Sequence, residues 1–139
     1  MAQNDDIEKY KKFLYEVLRP DYLKTVKQEE EMIQEKHEYE ILLVSVTKII
    51  ESEAQSLMTR MNLGHHVFAN AEIEDCSKVI VKMTGDMFAE LPLDRAVGFI
   101  EKKIEILGQR AERIQETASK IRAHMDYVLS SIASYEKLL

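Results

Sequence analysis

His65 and His66 stand side by side near the middle of a 139-residue chain, in the stretch GHHVFANAEIEDC. The same stretch carries Glu72, Glu74 and Asp75 and ends on the only cysteine, Cys76. Imidazole, carboxylate and thiolate are the groups that ligate zinc, and they also serve as nucleophile and base. The spacing argues against both uses. Consecutive strand residues point to opposite faces, so His65 and His66 cannot share one metal without a distorted turn. Their separation matches no helical or looped zinc pattern. His37 and His124 lie far away along the chain. Glu74 and Asp75 beside Cys76 would raise a thiol pKa rather than lower it. No Ser-His-Asp or paired-carboxylate arrangement stands out among the 25 acidic residues. The stretch therefore reads as the polar face of a strand followed by a turn, with no catalytic, cofactor or metal site. An enzyme or metalloprotein centred here would lose its function on His65→Ala or Cys76→Ser; little loss is expected.

The elements that hold this stretch follow from composition and period. The chain is about one ordinary domain in length, 45% hydrophobic and 32% charged. It has only four glycines and two prolines, too few for many turns, and this points to a few long helices. The formal charge of −6 gives nucleic-acid binding no electrostatic support, and no basic run tracks a phosphate backbone. A single cysteine forms no internal disulfide, which fits a reducing compartment. The start, MAQNDDIEKYKK, lacks the basic and apolar regions of a signal peptide. The longest apolar run, Ile41 to Val44, falls far short of a membrane span. The expectation is a soluble protein of the cytoplasm or nucleus, with no nucleic-acid or membrane partner.

The strongest pattern lies in the last third. Steps of three and four from Val97 pass through Ile100, Ile104, Leu107, Ala111, Ile114, Ala118, Ile121, Met125, Val128, Ile132 and Tyr135 to Leu139. This is a coiled-coil seam. Tyr39, Leu42, Val46 and Ile49 carry the same spacing in the first half, with Leu57 after them. The chain reads as a single domain over 1–139, with a helix over about 5–60, β-hairpins over about 61–92 and a helix over about 93–139. Two long helices bury their seams most simply against each other, antiparallel. The expected register pairs Ile49 with Ile104, Val46 with Leu107, Leu42 with Ala111 and Tyr39 with Ile114. Pro20 is expected to start or kink a helix.

Between the helices the period changes to two. Val67, Ala69, Ala71 and Ile73 alternate with His66, Phe68, Asn70 and Glu72; Val79, Val81 and Met83 with Lys78, Ile80 and Lys82; and Met87, Ala89 and Leu91 with Asp86, Phe88 and Glu90. Gly64, the run Glu74 to Ser77, and Thr84-Gly85-Asp86 supply turns. The reading is two hairpins whose apolar face lacks cover within the chain, so equivalent strands of other subunits are expected to cover it. The fold class is mainly α with a small β part: a long antiparallel two-helix coiled coil with two central hairpins. At the far tips, Phe13, Leu14, Val17 and Leu18 meet Val128, Leu129, Ile132, Tyr135 and Leu138, more apolar surface than a two-helix seam consumes. These residues are the candidates for holding a client.

Long helix, two hairpins, long helix is the layout of the α-type prefoldin subunits, and the residues resemble that family. The likeness lies in Leu63-Gly64, Phe68, Ile73, Val79, Gly85, Phe88-Ala89-Glu90-Leu91, Ala96-Val97 and Phe99-Ile100, with YKKFLYEVLRPDYLK and Tyr39-x-x-Leu42 similar to its prefoldin-like branch. Pro92 departs from the usual Ser or Thr at the entry to the last helix. The resemblance implies a hexamer of two α and four β subunits whose hairpins form a barrel body and whose coiled coils hang free. It implies an ATP-independent co-chaperone that holds unfolded or assembling clients and hands them on. A conventional α subunit would deliver actin- or tubulin-type clients to a chaperonin. Likeness to the prefoldin-like branch implies instead a RuvB-like ATPase co-chaperone as partner and a part in transcriptional co-regulation. A structural coiled-coil adaptor is the reading from another class, and the hairpins argue against it.

Overall fold

The computed structural model describes residues 2–137, with side chains from residue 5 onward. The order is α1 (Ala2–Phe13), a π turn (Leu14–Leu18), α2 (Arg19–Ser52), β1 (Leu57–Gly64), β2 (Val67–Ile73), β3 (Lys78–Thr84), β4 (Met87–Pro92) and α3 (Leu93–Lys137). The expected class holds: mainly helical, with two antiparallel hairpins between long helices. The chain divides into two compact units, one made of Met1–Lys36 and Ile106–Leu139, the other of His37–Glu105.

In the first unit the N-terminal helical segment packs on the last turns of α3. Ile7, Leu14, Leu18, Val128 and Ile132 form a buried cluster with Met125 against it. Lys11 Nζ reaches Glu136 at 2.9 Å, and the Phe13 ring meets His124 edge-on with centroids 6.0 Å apart. Pro20 is the second residue of α2, one residue after the π turn, within a helical run that continues from α1. Leu107 and Ala118 are buried in this unit, Ala111 and Ile114 between them are half-buried, and so are Ile121 and Met125 further along. The α3 seam expected from the heptad spacing is therefore the face that α3 turns inward here. Tyr135 is exposed.

In the second unit Val46, Ala96 and Ile100 are buried, and Tyr39, Ile49, Val97 and Ile104 are half-buried. Leu42 is 39% exposed and its neighbour Leu43 is half-buried. The register differs from the expected one. Lys103 Nζ lies 5.7 Å from the centre of the Tyr39 ring, whereas Tyr39 was expected beside Ile114. The slip is about three helical turns. Its cause is the end of α2, which comes at Ser52 and not near residue 60. Leu57 to Arg60 fall within the helix expected over about 5–60, because Leu57 follows the Tyr39–Ile49 seam. The residues Leu57, Thr59, Met61 and Leu63 fit period two equally well, and pairing with β2 decides between them. With α2 shorter, α3 runs back along an earlier part of it.

Two backbone bonds tie the hairpins to the helices. Cys76 N–H donates to the Gln55 carbonyl at 3.3 Å, and Leu93 N–H donates to the Ser77 carbonyl at 3.2 Å. The second bond supplies the first turn of α3 with an acceptor that Pro92 has no side chain to provide.

Candidate assembly surface

Each hairpin separates its side chains by pairing. In β1–β2, Leu57 faces Ile73, Thr59 faces Ala71 and Met61 faces Ala69. Leu63 and Val67 continue that face at the turn. In β3–β4, Val79 faces Leu91 and Val81 faces Ala89, with Met83 and Met87 continuing toward the turn. The ten hairpin residues singled out by alternation thus lie on two faces, one per hairpin. Their burial is uneven. Val81 is buried within the chain, and Val79, Ala89, Leu91, Ala69 and Ala71 are half-buried. This corrects the expectation that the strands have no cover of their own. Val67, Ile73, Met83 and Met87 stay open, as do Met61 and Leu63.

The opposite faces are less polar than alternation suggests. They carry Met58, Phe68, Ile80 and Phe88, and Ile80 is 72% exposed. Phe68 stands opposite Asn62 and Phe88 opposite Lys82. The signal was present, since these residues interrupt the polar half of the period. Lys78 Nζ meets Glu90 at 3.9 Å on this side, an exposed pair worth about 0–1 kcal/mol.

The histidines that opened the question occupy the turn of the first hairpin. His65 and His66 have φ of 49° and 62°, and Gly64 pairs with Val67 across them. Positive φ at both central residues is the type I′ condition, in which the turn twist matches the strand twist. His tolerates this region better than most residues but less well than Asn or Gly. Asn62 Oδ1 accepts from Gly64 N–H at 2.9 Å and steadies the approach to the turn. Among the described residues no group of His, Cys, Asp and Glu is arranged to hold a metal. Cys76 is buried, with its Sγ 3.9 Å from the Ile73 carbonyl. Asp75 accepts from Ser77 N–H at 2.9 Å. Hydrogen bonds from the Ser77 side chain and backbone hold the Asp75 carboxyl below its ordinary pKa.

At the tips, Leu14, Leu18, Val128 and Ile132 are spent on closing the cluster around Ile7. Phe13, Val17, Leu129 and Tyr135 remain exposed, and Tyr10, Tyr15 and Tyr127 add surface that the seam pattern did not pick out. Leu138 lies outside the described residues.

Unpaired hairpins with apolar faces, set between helices that carry heptad seams, define an oligomer-forming coiled-coil subunit of the prefoldin type. The family model for prefoldin subunits matches residues 21–137, and the chain belongs to that family. It is a prefoldin-like, chaperone-type subunit. The chain is similar to a Protein UXT homolog of Nematostella vectensis, 30% identical over 136 residues, covering 96% of this chain and 86% of that protein. A Protein UXT homolog of Dictyostelium discoideum is 24% identical over 96% of this chain and 83% of its own. Human Protein UXT is 23% identical over 99% and 87%. Among solved structures, filamentous PFD from Methanocaldococcus jannaschii superposes with a TM-score of 0.59 at 17% identity, over 83% of this chain and 97% of that one. That likeness supports the fold.

Proposed function

We propose that the chain is a UXT-like α-type subunit of a prefoldin-like hetero-oligomer, a hexamer with other α- and β-type subunits. In this reading it acts without catalysis and without ATP, as a co-chaperone in folding or complex assembly. The observation that carries it is the pair of hairpins that leave Met61, Leu63, Val67, Met83 and Met87 open at their turn ends. Exposed methionine and β-branched side chains on an unpaired sheet face are stabilised by a partner sheet. The exposed Phe13, Val17, Leu129 and Tyr135 support the further step, weak holding of a non-native client at the tips. The similarity to UXT proteins favours a RuvB-like ATPase co-chaperone over a chaperonin as the downstream partner, sites of action in both cytoplasm and nucleus, and a part in transcriptional co-regulation.

Purification of the tagged chain from its own cells at endogenous level, followed by native mass spectrometry, tests the reading. Prefoldin β-type subunits together with RuvB-like ATPases are expected. A conventional α subunit with a chaperonin would move the chain to the folding hexamer. A lone chain, or partners without any prefoldin-type subunit, would overturn the proposal.

A further inference from the structure

Three features coincide over residues 14–20, in the unit that holds the chain's N-terminal segment. The first is the π turn itself. Arg19 N–H donates to the Leu14 carbonyl, five residues back, in place of the usual four. The second is Pro20, which has no N–H to give to the Glu16 carbonyl and whose ring crowds that carbonyl in a regular α-helix. The third is a break in the seam. Up to Leu18 the inward positions are Ile7, Lys11, Leu14 and Leu18, in steps of four, three and four. From Tyr22 onward they run through Thr25, Glu29 and Met32, again alternating three and four. Between Leu18 and Tyr22 a second step of four follows the step of four from Leu14 to Leu18. Two successive fours are a stutter, which locally unwinds a coiled coil.

The helix beyond that point is lightly held. Among the described residues Ile7 is the only buried side chain of α1. One partly exposed ion pair, Lys11 with Glu136, and the edge-on contact of Phe13 with His124 are its other ties to α3. Contacts of that size keep a segment closed by roughly a hundred- to a thousandfold.

We infer that residues 14–20 are a hinge at which α1 leaves α3 as one unit while α2 stays packed. A released helix of this length is marginal in water and melts. Opening uncovers Val128 and Ile132 on α3 together with Ile7. Any use of that surface for a client rests on the proposed function; the hinge itself does not.

Hydrogen exchange on the full chain within its native assembly tests the hinge alone. Amides of 8–13 are expected to share one protection factor of roughly a hundred to a thousand, with a step to at least a hundredfold higher protection beyond residue 22. Protection that climbs evenly from residue 5 would mean simple fraying and would overturn the hinge. So would protection in α1 equal to that in α2. Pro20→Ala restores the missing N–H and removes the ring that crowds the Glu16 carbonyl. It is expected to slow exchange in α1 at least threefold. Unchanged or faster exchange there, with α2 and α3 still protected, overturns the inference. Client holding is measured separately, so its loss or survival bears on the proposed function and leaves the hinge result standing.

Discussion

Lys103 Nζ stands 5.7 Å from the centre of the Tyr39 ring, a cation over an aromatic face. That contact fixes the register of α2 against α3 in the unit that holds the hairpins. A short bismaleimide linker should therefore join Tyr39→Cys to Lys103→Cys, in a Cys76→Ser background that removes the native thiol. Tyr39→Cys with Ile114→Cys should not be joined, since Ile114 lies about three turns further along α3. Gel mobility after brief treatment distinguishes the two, and efficient linking of the second pair would restore the longer α2.

The His65-His66 turn is a strained element with no ligand role in this reading. Each left-handed non-glycine residue costs about 1–2 kcal/mol. His66→Gly, alone or with His65→Asn, should therefore raise stability by about 1 kcal/mol in denaturant unfolding and leave assembly intact. A loss of assembly or function on that change would give the histidines a role that the backbone geometry does not.

Glu53 ends α2 in the left-handed region, with φ of 49°. Its N–H donates to the Ile50 carbonyl at 3.2 Å. Glycine is the residue that this position favours, and a carboxylate beside a helix C-terminus meets the negative end of the dipole. Glu53→Gly is expected to raise stability by about 1 kcal/mol, read from the unfolding midpoint. Glu53→Gln removes only the charge and should gain less than half as much.

The Asp75 carboxyl is held below its ordinary range by hydrogen bonds from Ser77. A lowered folded pKa means that ionised Asp75 stabilises the turn above the unfolded value and loses that effect as pH falls through the folded one. Asp75→Ala should therefore be less stable than the parent at pH 7. The difference should shrink as pH drops below about 3.9, the ordinary aspartate value. A difference that stays constant across that range would show that ionisation of Asp75 does not matter.

How much of this was legible varies with the kind of signal. The α3 seam was fully visible, because every step from Val97 to Ile132 lands on an apolar residue and no competing period exists there. Strands β2, β3 and β4 were visible from alternation bounded by glycine or turn residues. Strand β1 was not, because Leu57-Met58-Thr59-Arg60-Met61 satisfies helix and strand periods together and its pairing with β2 is a non-local fact. That one ambiguity moved the end of α2 and with it the register of both helices. The π turn was not legible: Pro20 marks the start or the kink of a helix, and neither says that the turn before it widens. The open residues of the hairpins were half legible. Alternation assigns a face, whereas the burial of Val81 against the exposure of Met87 depends on what the rest of the unit covers.

That last contrast decides which substitutions test assembly. Val81 is buried and Val79 half-buried within the chain's own unit. Val79→Asp with Val81→Asp places an unpaired carboxylate in the interior, at a cost of several kcal/mol. It should abolish assembly, but by unfolding the hairpin, so its loss of partners says little about the interface. Met61 and Met87 are 56% and 66% exposed and sit on the two apolar faces near the turns. Met61→Asp with Met87→Asp adds charge where the isolated chain is open to water, so stability of the chain itself should change by less than about 0.5 kcal/mol. If partner strands cover these faces, the same two carboxylates become buried on association and should prevent it. The expected result is an unchanged circular dichroism spectrum and a loss of prefoldin-type partners in native mass spectrometry. Retention of the full partner set by the Met61→Asp, Met87→Asp chain would show that these ends of the hairpins are not where subunits meet.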